Sequence, residues 1–159
     1  MENKDDKFYL QMAVDLAAEN VRKGMGGPFG AVIVKEGKVI STGVNLVTNN
    51  NDPTAHAEIT AIRNATEKLN DYQLTGCTIY SSCEPCPMCL GAIYWARPER
   101  LVFATSKLDA ANAGFDDAFI YEEISLNIEN RHLRTEYSPA EKFLLPFQLW
   151  KESDGKTEY

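Results

Sequence analysis

The chain reads as an α/β layer fold with parallel pairing in its second half, and three observations carry that reading. Helical and strand-like segments follow one another in the order helix, hairpin, helix, strand, helix, strand. The strand segments are short apolar or β-branched runs, whereas the helical ones repeat apolar residues at three- to four-residue spacing. The composition, 159 residues with 44% apolar and 25% charged, is that of one ordinary globular domain and excludes wholesale disorder or collagen-like repeats.

The first helix is expected over Asp6 to Lys23, where Phe8, Met12 and Leu16 recur at four-residue spacing beside Tyr9, Ala13 and Ala17. Gly24, Gly26 and Gly27 end it, and Pro28 blocks its continuation. Gly30 to Lys35, built on Ala31-Val32-Ile33-Val34, is a strand. A Glu36-Gly37-Lys38 turn leads into Val39-Ile40-Ser41-Thr42, which completes a hairpin. Thr48 to Asn51 is polar loop. Asp52-Pro53 then signals a helix start, since Asp satisfies free amides and Pro fits the first turn, and the helix runs to about Leu69. Cys77-Thr78-Ile79-Tyr80 is the next strand, and Glu84-Pro85-Cys86-Pro87 opens a helix that reaches about Arg97. Pro98 closes that helix, and Leu101-Val102-Phe103-Ala104 is the following strand. Beyond Ala113 the pattern weakens: Gly114-Phe115-Asp116-Asp117 reads as a loop, Ile120 to Arg134 has no clear period, and a short helix is expected over Pro146 to Glu152. No repeat or linker divides the chain, so residues 1–159 are expected to form a single domain.

Sixteen basic against twenty-three acidic residues leave a net charge of -7 and a pI near 4.9. That is the wrong sign to collect phosphate backbones, so a nucleic-acid polymer is not expected as a partner. The longest apolar run, Ala92 to Ala96, is five residues and far short of a membrane span. The start, Met1 to Lys7, is polar and has no stretch resembling a signal peptide. A soluble, cytoplasmic protein with no membrane partner is expected.

Three of the four cysteines, Cys83, Cys86 and Cys89, fall within seven residues, which reads as metal or thiol chemistry before disulfides. Cysteines three apart at a helix start face the same side, as two thiolates gripping one ion must, and the free amides there favour thiolate. With the His56 imidazole the set is two sulfurs and a nitrogen, ligands that suit zinc. Three protein ligands leave one tetrahedral position open, the mark of a catalytic rather than a structural site. Two thiolates weaken the ion's pull on a water, so a nearby base has to help, and Glu58 lies two residues from a ligand. Residues two apart on an ideal helix point some ~200° apart, so this pairing demands first-turn geometry.

His56-x-Glu58 followed by Pro85-Cys86-x-x-Cys89 resembles the signature of zinc-dependent nucleobase deaminases. Further motifs are similar to the bacterial guanine deaminases of the cytidine-deaminase fold: Gly26-Gly27-Pro28-Phe29-Gly30-Ala31-Val32, Asn51 to Glu58, Ser82 to Pro98, Gly114-Phe115-Asp116-Asp117 and the terminal Lys156-Thr157-Glu158-Tyr159. The resemblance covers essentially the whole chain and implies a three-layer α/β/α sandwich with a five-stranded mixed sheet. It implies one Zn2+ per active site on His56, Cys86 and Cys89, with Glu58 as proton shuttle and Asp117 as a second carboxylate near the leaving amine. Phe29, Asn45, Ala57, Trp95 and Tyr159 are the implied substrate contacts: Phe29 and Trp95 as aromatic walls, Asn45 as an amide on the base edge, Tyr159 closing the pocket. The implied reaction is hydrolysis of guanine to xanthine and ammonia. The implied assembly is a homodimer in which the segment from about 146 to 159 is exchanged between subunits.

Plainer readings stand beside these. Cys83, Cys86, Cys89 and His56 also fit a closed Cys3His structural zinc site, and Cys86-x-x-Cys89 is thioredoxin-like in spacing. Phe29 and Trp95 are residue types common in cores, Asp116 and Asp117 fit a helix cap, and a terminal Tyr159 is ordinarily frayed. Within the superfamily, a related amino-heterocycle or guanosine is the alternative substrate. A tRNA adenosine deaminase shares the zinc motifs but calls for a basic surface, and a zinc-stabilised binding module is the non-enzyme alternative.

Overall fold

The computed structural model describes residues 5–159, so Met1 to Lys4 of the polar start lie outside the described residues. Helix α1 (Asp6–Arg22) opens where the Asp5 carboxylate accepts a hydrogen bond from the Phe8 amide, 3.0 Å away. Its buried stripe is Tyr9, Ala13, Ala17 and Asn20; of the neighbouring row on the expected face, Met12 and Leu16 pack partly buried against the core and Phe8 is exposed.

Strands β1 (Gly30–Lys35) and β2 (Lys38–Val44) form the expected hairpin. It turns through Glu36 and Gly37, both in the left-handed region, which matches the twist of paired strands. Strand β3 (Cys77–Cys83) lies antiparallel to β1 and parallel to β4 (Arg100–Thr105). The order across the sheet is β2-β1-β3-β4, and α4 (Pro87–Ala96) makes the crossover that a parallel pair requires.

Alternation along the strands divides the core in two. Val32, Val34 and Tyr80 pack on Tyr9 and Ala13 of α1 on one face. Ala31, Ile33, Cys77 and Ile79 occupy the other face, under Ala57, Ala61 and Ala65 of α3 (Ala57–Leu69) and Ile93 and Ala96 of α4. Helices therefore cover both faces in three layers. Helix α3 touches down on β2 at Gly43, where a Cβ would lie 2.2 Å from the Ala57 carbonyl oxygen and 2.5 Å from the Ala61 nitrogen. Beside it, Ser41 Oγ donates to the Ala61 carbonyl at 2.7 Å. This close approach sets how far the first turn of α3 projects past the sheet.

The structure corrects the sequence reading in three places. The sheet has four strands among the described residues, not five: after β4 the chain enters α5 (Lys107–Asn112), started by a reciprocal Ser106–Asp109 capping box. Helix α3 starts at Ala57 rather than at Pro53, because the Asp52 carboxylate binds locally, accepting from the Thr54 amide at 2.8 Å and the Thr54 hydroxyl at 2.7 Å. The polar loop after β2 contains one short helical turn, α2 (Val47–Asn50), ended by a left-handed Asn51.

The chain divides into two compact units, one through Ala118 and the other Phe119–Tyr159. Helix α6 (Ala118–Ser125) begins at that boundary. The second unit also holds a 3-10 turn at Ile128–Asn130 and helix α7 (Leu145–Glu152), close to the expected Pro146 to Glu152. Its Phe143, Phe147, Leu149 and Trp150 are exposed.

Candidate active site

Two helix starts build the site. His56 is the residue before α3, with extended backbone (φ -72, ψ 161), and Cys86 is the residue before α4, also extended (φ -64, ψ 167). Pro87 at the first helical position fixes where α4 begins, and the Cys89 amide donates to Cys86 Sγ at 3.5 Å. These positions resolve the spacing problem between His56 and Glu58. The histidine is outside the helix and the glutamate in its first turn, so the two side chains are free to converge.

His56 Nδ1 lies 3.6 Å from Cys86 Sγ and 3.5 Å from Cys89 Sγ, and the three donor atoms lie within 4.8 Å of one another. Zinc bonds of about 2.3 Å to sulfur and 2.0–2.1 Å to nitrogen, at tetrahedral angles, place such donors about 3.5–3.6 Å apart. The spacing and the donor chemistry therefore fit a zinc ion. Cys83 is not part of the set: it is buried, and its thiol is directed to the Ser106 carbonyl oxygen at 3.5 Å. A closed Cys3His site is thus not what these residues form. Cys77 is a core residue beneath α3.

Without an ion, the Cys89 thiol hydrogen-bonds Cys86, which brings Cys86 down to about 4 and pushes Cys89 up. One proton is held between two sulfurs that a cation would keep as thiolates. The same Cys86 sulfur, through its hydrogen bond, raises the His56 pKa against the opposing effect of burial.

Glu58 is buried, and loss of water drives its carboxyl above the ordinary range. Ser81 Oγ, in β3, donates to Glu58 Oε1 at 3.0 Å and partly offsets that rise. Glu58 lines a cavity of about 620 Å³ within the first unit. Of the expected site residues, Phe29, Asn45, His56, Glu58, Cys86 and Asp117 line it. Cys89 is fully buried behind the wall, and Ala57 is fully buried in the core as the first residue of α3. Trp95 lies outside the cavity on α4, 65% exposed, and Tyr159, 69% exposed, belongs to the second unit.

Asp117 is half-buried, and burial, then the nearby Cys86 sulfur, raise its pKa. Asp116 is exposed, with its Oδ1 accepting from the Ala118 amide at 2.9 Å as a local cap. Phe115, quoted within the Gly114-Phe115-Asp116-Asp117 motif but given no role there, meets Phe29 edge-on at 5.0 Å in the cavity wall. The sequence reading missed Ser81, which sits 23 residues from the carboxyl it holds and belongs to no spaced motif of reactive residues.

The family profile described as "Cytidine and deoxycytidylate deaminase zinc-binding region" matches residues 3–105, and the chain belongs to this deaminase family. Within the family, the chain is similar to the guanine deaminase of Bacillus subtilis (strain 168): 56% identity over 151 residues, 95% of this chain and 97% of that protein. The X-ray structure of guanine deaminase from Bacillus subtilis superposes with a TM-score of 0.96 at 54% identity, covering 98% of this chain and 99% of that one. A tRNA-specific adenosine deaminase of Aquifex aeolicus (strain VF5) is 40% identical over 137 residues, 86% of this chain and 87% of that protein.

Proposed function

We propose that this chain deaminates guanine hydrolytically to xanthine and ammonia. The observation that carries the reading is a cavity of about 620 Å³, roomy enough for a purine base, in which a buried carboxyl faces a His-Cys-Cys zinc seat. The choice of guanine rests on similarity to the Bacillus subtilis guanine deaminase, 56% identical over nearly the full length of both proteins.

A zinc ion on His56, Cys86 and Cys89 would supply the Lewis acidity that makes water a nucleophile near neutral pH. The residues do the rest. The Glu58 carboxylate accepts a proton from the attacking water and delivers it to ring N3 as oxygen bonds to C2. Its raised pKa suits it to hold that proton in transit. The C2 hydroxyl then gives up its proton through Glu58 to the exocyclic amine, which leaves as ammonia as the C2 oxo group of xanthine forms. Asp117, in the cavity wall with its own pKa raised, is the carboxyl placed to assist that departure. Phe29 and Phe115 supply an aromatic corner for the base.

In this reading the working form is a homodimer of single-domain chains. Support comes from adjacent Tyr94 and Trp95 on α4, 75% and 65% exposed, and from the exposed aromatics of the second unit. Tyr159 then closes a neighbour's cavity through exchange of segment 146–159, and Trp95 serves as an aromatic wall for the base. No described helix is long and apolar enough to cross a membrane, and a cytoplasmic setting belongs to the same reading.

Ammonia release from guanine, guanosine, adenine, cytosine and ammeline by zinc-loaded protein tests the proposal. Guanine should be turned over first, and Glu58→Gln should keep zinc while losing turnover by about a hundredfold or more. Turnover of another member with guanine inert would sink the guanine reading, and an active Glu58→Gln would remove Glu58 from the proton path.

A further inference from the structure

Asn20 is a polar side chain on the otherwise apolar stripe of α1, and it is buried. It does not reach the cavity. Its Nδ2 donates to two backbone carbonyls, Gly27 at 2.9 Å and Asn45 at 2.8 Å, so both amide hydrogens are engaged. These carbonyls belong to the two segments that form one side of the cavity, the glycine loop after α1 and the turn after β2. The two segments are further laced together: Asn45 N donates to Phe29 O at 3.1 Å and Phe29 N to Gly27 O at 2.9 Å. They touch so closely that a Cβ on Gly26 would lie 2.2 Å from the Asn45 carbonyl oxygen.

That arrangement decides which way the Asn45 amide faces. Its Oδ1 accepts from the Gly27 amide at 3.2 Å and the Val47 amide at 3.3 Å. Two backbone N–H groups can satisfy only an oxygen, so the amide has one allowed orientation. Asn45 Nδ2 has no hydrogen-bond partner among the described residues, although Asn45 is only 7% exposed and lines the cavity. The site therefore offers a fixed donor there, with no acceptor beside it on the same amide.

We propose that Asn20 is a positioning residue that, by clamping the Gly27 and Asn45 carbonyls, locks the Asn45 amide with its NH2 toward the substrate, so that this wall selects the oxo edge of a purine over an amino edge. The proposal rests on the reading of the cavity as a guanine site. With C2 and N3 toward Glu58, the C6 carbonyl and N7 are the acceptors remote from the reacting bond, and of the two only C6 differs between guanine and 2,6-diaminopurine. A base carrying an amino group at C6 meets a donor facing a donor, and buried polar groups left unpaired in this way discriminate strongly.

The test measures equilibrium binding of guanine and of 2,6-diaminopurine to zinc-loaded Glu58→Gln protein, where turnover does not interfere. The parent should bind guanine more tightly. Adding Asn20→Ala should weaken guanine by about tenfold, the scale of a lost buried hydrogen bond. Its 2,6-diaminopurine affinity should hold or improve, because a freed amide can rotate to present its oxygen. With Glu58 intact, Asn20→Ala should show the loss in KM for guanine rather than kcat, at unchanged zinc stoichiometry. A merely structural role would lower Tm and move both ligands together or neither, and either result overturns the proposal. Should Asn20→Ala not fold, Asn45→Asp decides. It keeps an oxygen for the two amides, turns a second oxygen to the ligand, and should reverse the preference; an unchanged preference overturns the proposal. Guanine that binds as described but is not hydrolysed by the protein with Glu58 intact would instead refute the proposed function and leave this inference standing.

Discussion

At the scale of single residues, Glu58 shows how a functional group is held at the expense of the fold. Its carboxyl is buried, its pKa is raised by lost hydration, and one hydroxyl, Ser81, is its hydrogen-bond partner in β3. In metal-free protein the folded state therefore binds that proton more tightly than the unfolded chain does. By linkage, this contribution to stability falls as pH rises from the ordinary carboxyl value through the raised folded one. Glu58→Gln removes the dependence. In the presence of chelator, the stability difference between Glu58→Gln and parent should move in the variant's favour between pH 4 and pH 8, as read from denaturant melts at each pH. A difference that stays flat with pH would contradict the raised carboxyl. The reactive set was legible in the sequence because metal ligation demands particular residue types at particular spacing, as His56, Glu58, Cys86 and Cys89 illustrate. Ser81, Asn20 and the role of Phe115 were not, since these residues act through packing or hydrogen bonds across long sequence separations. Asn20 did leave one trace, a polar residue in register with the buried stripe Tyr9-Ala13-Ala17.

Among the elements, the junction of α3 with β2 governs the site most directly. Gly43 is the point of contact, and the first turn of α3 begins one residue past His56. In Gly43→Ala, the new methyl would collide with backbone of Ala57 and Ala61, which cannot move aside as a flexible side chain would. The variant should lose about 1–3 kcal/mol of stability and bind less than its full zinc equivalent, because the displaced turn carries His56 with it. Thermal denaturation with metal analysis checks both; full zinc occupancy with a large loss of Tm would show that the junction supports the fold without setting the ligand. Helix and strand order was readable from periodicity and from Gly and Pro punctuation, and the hairpin and the parallel crossover followed. The start of α3 was not, because Asp52-Pro53 carries the same residues whether it caps a helix or makes a local turn. A fifth strand was inferred from resemblance, and the capping box at Ser106 instead commits the chain after β4 to a helix.

For the whole molecule, the charge of -7 and the aromatic surface point the same way. That net charge favours the proposed free-base reading over a polyanion substrate, and negligible binding of tRNA at low salt is the expected outcome. Tyr94 and Trp95 standing together on α4 are the kind of exposed apolar surface that a second copy covers. Sedimentation should give twice the 17.8 kDa of one chain, and Trp95→Glu should shift the protein toward monomer with lower turnover at unchanged zinc content. A monomeric parent would refute the assembly.

The two ligand residues that precede helices have a consequence of their own. His56 and Cys86 owe their places to helix starts that the hydrophobic core holds down, so the metal arrives at a socket already cut to shape. The ion is then a replaceable part. A chain stripped by chelator should keep its helix content and take up a fresh equivalent of zinc without refolding, as circular dichroism with metal analysis would show; loss of the fold on stripping would contradict it.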